Sequence, residues 1–581
     1  MRRQDASRAR TGLSRSPRQR LYAPAMRALC NVITVTCLVG TCASCAAPPP
    51  ASPDARATKP QRFAEPPVPE PVFIDPARRT KIAETFPELD AFFAGEFAAA
   101  KLPGLVVGVV VDGELAWSKG YGVRDTATRA PVDADTVFRM GSMTKTLTAT
   151  AIVQLRDEGK LRLDDPAEQY VPELADVVYL FRDAPRMTVW NLLTHSSGLP
   201  EWGPYSFTDP GHEITGAEVR RTLPGAALVL TTGTMHNYSN VGIISGGFVV
   251  ERASGMPYRR YVSERIFGPL GMTASVWNEE DVPSGRFAKG YSDVDGVRTN
   301  PKNWRIGATT PAGGSYSSVR DLARFVGAQL AAWSMRDEPE TGPVRRASLR
   351  EMHMPHFTGP GRVRPAPDDS PWQVELRVNS QGLGWEMFST CDFDKVVFKG
   401  GGEEDGYSGY MAFLPAEQVG LVVMWNANEG RTFDTTQPAL RILGHKGGLQ
   451  RRAAKPAPGL VVAKARLDHL LASWDAAEAD RLFAPLVFDA ISNTPSRADW
   501  ARMAKIHGAC RARDDLEIGD GFANGHWTAD CEHGRIVLEV DVAQWSPLVV
   551  REYRFGELSN DPADSGPPGR CPRKPKRGDV Q

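Results

Sequence analysis

Val137-Phe138-Arg139-Met140-Gly141-Ser142-Met143-Thr144-Lys145 leads into an amphipathic helix that continues through Leu147, Ala151, Ile152 and Leu155 and stops at Gly159. Ser142 stands at the start of that helix. Residues i and i+3 share a helix face, so the Lys145 amine can reach the Ser142 hydroxyl. A serine hydroxyl is a weak nucleophile until a neighbouring base takes its proton. Lysine does this when burial or nearby positive charge lowers its pKa. The helix N-terminus adds a partial positive field where negative charge develops. The competing reading is an N-cap serine beside a solvated lysine. This is the sole Ser-x-x-Lys in the chain, yet about one match is expected by chance at this length, so the spacing alone does not decide.

Two further elements shift the balance. Tyr238-Ser239-Asn240, the sole Tyr-x-Asn, follows the loop Thr231-Thr232-Gly233-Thr234 and precedes an apolar helical stretch. A tyrosine acts as general base when nearby lysines stabilise its phenolate, and Asn240 can hydrogen-bond a substrate amide. The alternative is a tyrosine that caps a loop. Val397-Phe398-Lys399-Gly400-Gly401-Gly402 enters a strand hairpin. Glycines on a strand suit close backbone approach by a ligand. The Lys399 ammonium can bind a carboxylate, and a strand N–H can complete an oxyanion hole with the Ser142 N–H. The alternative is a glycine-rich bulge with a solvated lysine.

In this order, Ser142-x-x-Lys145, Tyr238-Ser239-Asn240 and Lys399-Gly400-Gly401 resemble the three motifs of serine β-lactamases and penicillin-binding proteins. The tyrosine points to the class C branch, with its D-alanyl-D-alanine carboxypeptidase and esterase relatives. Leu192-Leu193-Thr194-His195-Ser196-Ser197-Gly198-Leu199, Phe267-Gly268-Pro269-Leu270-Gly271-Met272, Pro311-Ala312-Gly313-Gly314 and Gly382-Leu383-Gly384-Trp385 resemble family stretches too. The resemblance covers roughly residues 80–445. It implies an acyl-enzyme on Ser142, with Lys145 and Tyr238 handling protons, and Asn240, Lys399, Gly401 and Gly402 binding substrate. The oxyanion donors would be the N–H groups of Ser142 and Gly402. It implies a structural His195, and neither metal nor organic cofactor. Two departures stand out. Gly400 occupies a position where the family usually carries Thr or Ser. Glu403-Glu404-Asp405 runs one residue long before Gly406-Tyr407-Ser408. These acids would receive a substrate ammonium, form a solvated loop, or pair with Lys399 at the surface.

Patterning outside the motifs organises the chain. A helix is expected over Lys81 to Lys101, then a buried strand over Leu105–Val111, a turn at Asp112-Gly113 and a returning strand over Glu114–Tyr121. More strands follow around Val396–Phe398, Gly409–Phe413 and Gly420–Trp425. Strands at both ends with helices between predict an α+β domain. Its antiparallel sheet is completed by both chain ends, flanked by helices, and joined by a mostly helical subdomain. Past the Gly447-Gly448 and Lys455-Pro456-Ala457-Pro458 break, a helix over Leu467–Leu482 and strands at Arg535–Val540 and Leu548–Val550 predict a small C-terminal α+β module. The expected divisions are 1–45 signal, 46–77 Pro-rich linker, 78–445 hydrolase domain, 446–460 linker, 461–560 accessory module and 561–581 disordered tail.

Bulk properties exclude some classes. The 69 Lys+Arg balance 69 Asp+Glu, and hydrophobic residues make up 41%. A neutral chain gives no electrostatic reason to expect nucleic acid. Residues 1–27 are Arg-rich, and the apolar run Ala28–Gly40 has the length of a signal-peptide core. Ala43-Ser44-Cys45 followed by prolines resembles a lipoprotein processing site, although Cys42 stands where Leu is usual. The expectation is an exported protein, periplasmic or membrane-anchored, touching the membrane only through a lipid at Cys45. In an oxidising compartment Cys510 and Cys531 form a plausible disulfide, against two buried thiols. The expected partner is a small-molecule or peptide substrate, cell-wall peptide among them. A second class stays open: a penicillin-binding or cell-wall-sensing lipoprotein that acylates with little turnover.

Overall fold

The computed structural model describes residues 70–557, apart from 206–211, 295–296, 300–305, 337, 366–373, 404–405, 429–431, 454, 484–504, 519–521 and 544–548. The expected signal, most of the Pro-rich linker, Glu404, Asp405 and the C-terminal tail lie outside the described residues.

The sheet grows from Gly104–Val111 (β1), whose β-branched run is buried along its whole length. Asp112 and Gly113, with φ of 50° and 86°, turn the chain into Glu114–Asp125 (β2), as the hairpin signal predicts. Ala130–Pro131 (β3) ends that edge. Far along the chain come Phe357–Thr358 (β4), Arg362–Pro365 (β5), Val374–Gln381 (β6), Glu386–Thr390 (β7), Val396–Glu403 (β8), Tyr407–Leu414 (β9) and Val419–Trp425 (β10). The order is β3-β2-β1-β10-β9-β8-β7-β6-β4, with β5 also paired to β6. Strand β1 lies antiparallel to β10, Leu105 opposite Trp425 and Val111 opposite Val419. Both ends of the domain therefore meet at the sheet centre, the α+β layout expected. The edge strands β4 to β6 were not foreseen.

Period-two alternation divides the core in two. Val106, Val110, Met411, Phe413, Val422 and Met424 face the helical side. Leu105, Val107, Val109, Tyr410, Leu421 and Val423 face the other, which is covered by Phe86–Ala100 (α1) and a C-terminal helix, Thr432–Gly444. On the helical side lie Thr144–Asp157 (α2), Asn240–Ser254 (α3) and Val319–Ala331 (α4). Helix α2 is buried from Thr144 to Leu155. The expected helix Lys81–Lys101 is two: Arg78–Ala83 and then α1, which starts at Phe86 with Pro87 in its first turn. A proline there fits a new helix start but cannot donate to a preceding turn.

Beyond residue 446 a separate core forms around Leu467, Leu471, Trp527, Leu538 and Val540. The expected helix over Leu467–Leu482 is also two, Pro458–Ala472 and Ala476–Leu482, because Asp475 accepts hydrogen bonds from the N–H groups of Ala477 and Glu478 and so caps a second helix. Strand Gly534–Ala543 pairs with Asn524–Cys531 on one side and Val549–Glu557 on the other. Cys510 and Cys531 face each other across paired strands and are disulfide-bonded. Cys391 is disulfide-bonded as well. No helix among the described residues is long and apolar enough to cross a membrane.

Candidate active site

Gly141–Met143 form a tight turn between strand Val137–Arg139 and helix α2, so Ser142 projects from a corner rather than from within a helix. One turn on, Lys145 is fully buried. Its Nζ donates to Ser142 Oγ at 2.8 Å and to the Ala312 carbonyl at 2.6 Å. Ala312 belongs to the Pro311-Ala312-Gly313-Gly314 stretch, whose part in holding the amine sequence reading did not anticipate. Its signal was the proline and glycines of a short buried helix ending at Gly313.

Tyr238 arrives from a separate loop. Ser239 sits in extended backbone, accepts from the Gly242 N–H at 2.9 Å and so caps helix α3. Its hydroxyl donates to the Pro200 carbonyl at 2.8 Å. This anchoring holds the phenol of Tyr238 2.9 Å from Ser142 Oγ. The ammonium groups of Lys145 and Lys399 lie 5.0 and 5.3 Å from the centre of the Tyr238 ring, within cation–π range. The three predicted side chains thus converge on one oxygen.

His195 supports the tyrosine from behind. The rings stack with centroids 4.5 Å apart. The Ser239 N–H donates to His195 Nδ1 at 3.1 Å, which leaves the proton on Nε2. His195 is fully buried and holds φ of 53°, a left-handed conformation unusual for a side-chain-bearing residue. Burial, then the charges of Lys399 and Lys145, hold its pKa well below the ordinary histidine value, so it stays neutral. Among the described residues no group of His, Cys, Asp and Glu could hold a metal ion.

Lys399 already has a carboxylate partner within the chain. It is 1% exposed, and its Nζ donates to Glu386 Oε1 at 2.7 Å. The carboxylate it pairs with is not in the acidic run after Gly402 but on the neighbouring strand, where Glu386 stands opposite Phe398. Burial pulls the Lys399 pKa down, but Glu386 and then Tyr238 hold it above the usual lysine value. Burial pushes Glu386 up, and Lys399 outweighs this to leave it below the usual carboxylate value. Glu386 directly follows Gly382-Leu383-Gly384-Trp385, so the motif was visible while its neighbour's role was not. Gly384 explains that motif: its φ is 73°, and a Cβ there would lie 2.4 Å from Ala149 on the nucleophile helix.

Pairing of β7 with β8 stops at Phe398, while β8 continues beside β9 to Glu403. Beyond Phe398 the β8 edge on that side has no β7 partner, which leaves backbone groups to receive a ligand. Gly401 presses on the nucleophile turn: a Cβ there would lie 2.1 Å from the Met140 carbonyl and 3.0 Å from the Ser142 N. The next residue, Gly402, is exposed. Asn240 is buried at the start of α3, and its N–H donates to the Glu201 carbonyl at 2.9 Å.

A hydroxyl at a helix start, engaged by an amine and a phenol, is the arrangement by which serine hydrolases activate a nucleophile. The Beta-lactamase family profile matches residues 89–446, and the chain belongs to that family. Over 381 residues it is 25% identical to a beta-lactamase of Lysobacter lactamgenus, covering 60% of this chain and 88% of that one. It is 25% identical over 318 residues to the D-alanyl-D-alanine-carboxypeptidase/endopeptidase AmpH of Escherichia coli strain K12, covering 54% and 77%. In fold it resembles the octameric penicillin-binding protein homologue from Pyrococcus abyssi, at a TM-score of 0.51 and 22% identity over 82% of this chain and 96% of that one. The family and these relatives make the chain a serine hydrolase.

Proposed function

We propose that the chain is an exported hydrolase that works through an acyl-enzyme on Ser142, acting on ester, amide or lactam carbonyls. The supporting observation is the shared engagement of Ser142 Oγ by Lys145 at 2.8 Å and Tyr238 at 2.9 Å. Both groups point a donor at that oxygen at rest. Attack therefore begins from the form in which one of the pair has shed its own proton. Ser142 Oγ bonds to the carbonyl carbon, its proton passes to that base, and the carbonyl electrons move onto oxygen. The N–H groups of Ser142 and Gly402 receive the oxyanion; one such donor is worth ~10²–10³ in rate. Collapse expels the leaving group, which takes the proton back. Water, deprotonated by the same pair, then frees the acyl group. Asn240 holds the substrate amide, and Lys399 sets the positive field beside Tyr238.

Export is supported by the basic-then-apolar N-terminal pattern and by the Cys510–Cys531 disulfide, since such bonds persist in oxidising compartments. The carboxypeptidase relative supports peptide amides, cell-wall peptide included, as substrates. Labelling with a fluorophosphonate, followed by turnover of p-nitrophenyl acetate against nitrocefin, tests the reading. The expected result is Ser142-dependent labelling and multiple turnovers. Labelling that persists in Ser142→Ala refutes the nucleophile. A single stoichiometric acylation would turn the reading to the penicillin-binding lipoprotein.

A further inference from the structure

We infer that the acyl group taken by this site is apolar, seated on a patch of exposed hydrophobic side chains that borders the Tyr238 loop. The inference rests on acyl transfer at Ser142. Phe181, Met235, Val178, Val229, Leu180 and Trp202 are each between 44% and 63% exposed. Single exposed hydrophobics are ordinary, but a contiguous group marks a site of contact. Backbone pairing draws the segments that carry them together. Val178 bridges Ala227, donating to the Ala226 carbonyl at 2.9 Å and accepting from the Leu228 N–H at 3.0 Å. The Val229 N–H then donates to Gly198, Gly233 to Ser196, and Asn237 to His195, at 2.8, 2.8 and 2.7 Å. The segments around 178, 195–202 and 226–238 are thus laced together and end at the catalytic phenol.

Two of these side chains border the reacting groups in sequence. Met235 lies three residues before Tyr238. Trp202 follows Glu201, whose carbonyl accepts from the N–H of Asn240. Segments 177–181 and 222–235 contain no acidic or basic residue, while exposed Glu201 stands beside Trp202. An anionic acyl group would lose hydration there with no cationic partner in those segments. An aliphatic or aromatic one would gain by covering the patch. Substrate pockets commonly combine such an apolar wall with a few fixed polar groups, here Asn240 and the oxyanion donors.

The test measures kcat/KM of the full chain on p-nitrophenyl acetate, butyrate and octanoate. The expected profile rises at least about tenfold from acetate to octanoate, since each buried methylene contributes up to about fourfold. In a Trp202→Gln, Met235→Gln double variant the octanoate-to-acetate ratio falls about tenfold. Met335→Gln, an exposed methionine past the end of α4, keeps the wild-type ratio. A flat profile in an enzyme that turns over acetate overturns this inference and leaves the acyl-enzyme standing. Absence of ester turnover together with absence of Ser142 labelling overturns the acyl-enzyme itself. Two other occupants would also overturn the inference. In each, the double variant keeps the ratio, losing either sedimentation with phosphatidylglycerol vesicles or a dimer seen by analytical ultracentrifugation.

Discussion

Replacing Gly401 with alanine tests how the nucleophile turn and strand β8 are joined. The added Cβ would lie 2.1 Å from the Met140 carbonyl oxygen, 3.0 Å from the Ser142 N and 3.1 Å from the Met143 N. All three are backbone atoms, so no side-chain rotation relieves the clash. Strand and turn must part by about 1 Å, a displacement that by itself costs on the order of 10²-fold in rate when reacting groups are misplaced. The Ser142 N–H is an oxyanion donor in the proposed mechanism, and its loss from position is worth ~10²–10³. The two effects overlap, so acylation is expected to slow by roughly 10²–10³. Stability falls by about 1–3 kcal/mol, the usual range for overpacking. Stopped-flow release of p-nitrophenol measures the acylation burst, and urea unfolding shows that the variant is folded. Gly402→Ala separates sterics from position in the strand. A methyl there meets only Ser408 Oγ at 3.5 Å, an ordinary contact, so its burst stays well above that of Gly401→Ala. A folded Gly401→Ala that acylates at the wild-type rate would refute both the close approach and the oxyanion assignment.

Other consequences can be measured directly. Glu386→Gln leaves the Lys399 ammonium buried without its carboxylate; because Glu386 itself is 35% exposed, the expected loss in urea is about 1–3 kcal/mol, below that of a fully buried pair, and Glu386→Asp recovers part of it. Cys510→Ser with Cys531→Ser opens a loop of 21 residues and costs about 3 kcal/mol in unfolding of the C-terminal module, which an unchanged urea midpoint would contradict. Acid weakens the fold through its buried histidines. Burial, with help from Lys399 and Lys145, holds His195 far below its ordinary value, and burial, then Lys395, takes His353 to about 3. Both are neutral when folded, whereas the unfolded chain binds their protons below about pH 6.5. Unfolding therefore gains protons, and stability falls as pH drops, by about 2–3 kcal/mol between pH 7 and 5.5 for the pair. A level stability curve across that interval would show that the folded chain takes up those protons.

Much of the site was readable because its chemistry is local. Ser142 and Lys145 are one helical turn apart, and each remaining motif residue sits within a short stretch whose glycines or caps shape the backbone. Strand β1 was legible for a similar reason, its apolar run being too continuous for a half-exposed strand. What escaped depends on register between distant strands. Nothing in Lys399-Gly400-Gly401 says that Phe398 lies opposite Glu386, and that pairing gives the expected carboxylate-binding lysine a carboxylate within the chain. The Ala312 carbonyl escaped because every residue has one, and only the packed fold selects it. Helix ends at Glu84-Thr85 and at Ser473 escaped because the hydrophobic spacing continues across them. Pro87 and Asp475 were the available signals, and they act through backbone hydrogen bonding rather than polarity.

The pairing of β1 with β10 carries a consequence for how the chain is made. A wholly apolar strand emerges from the ribosome early, yet its inner neighbour follows about 300 residues later. At ~5–20 residues per second, that edge waits roughly 15–60 s without its mate. During this interval Leu105-Val106-Val107-Gly108-Val109-Val110-Val111 is the segment most exposed to wrong partners, and a holding chaperone would have its greatest effect there. Fragments that stop short of residue 419 should therefore collect in insoluble material rather than as folded halves.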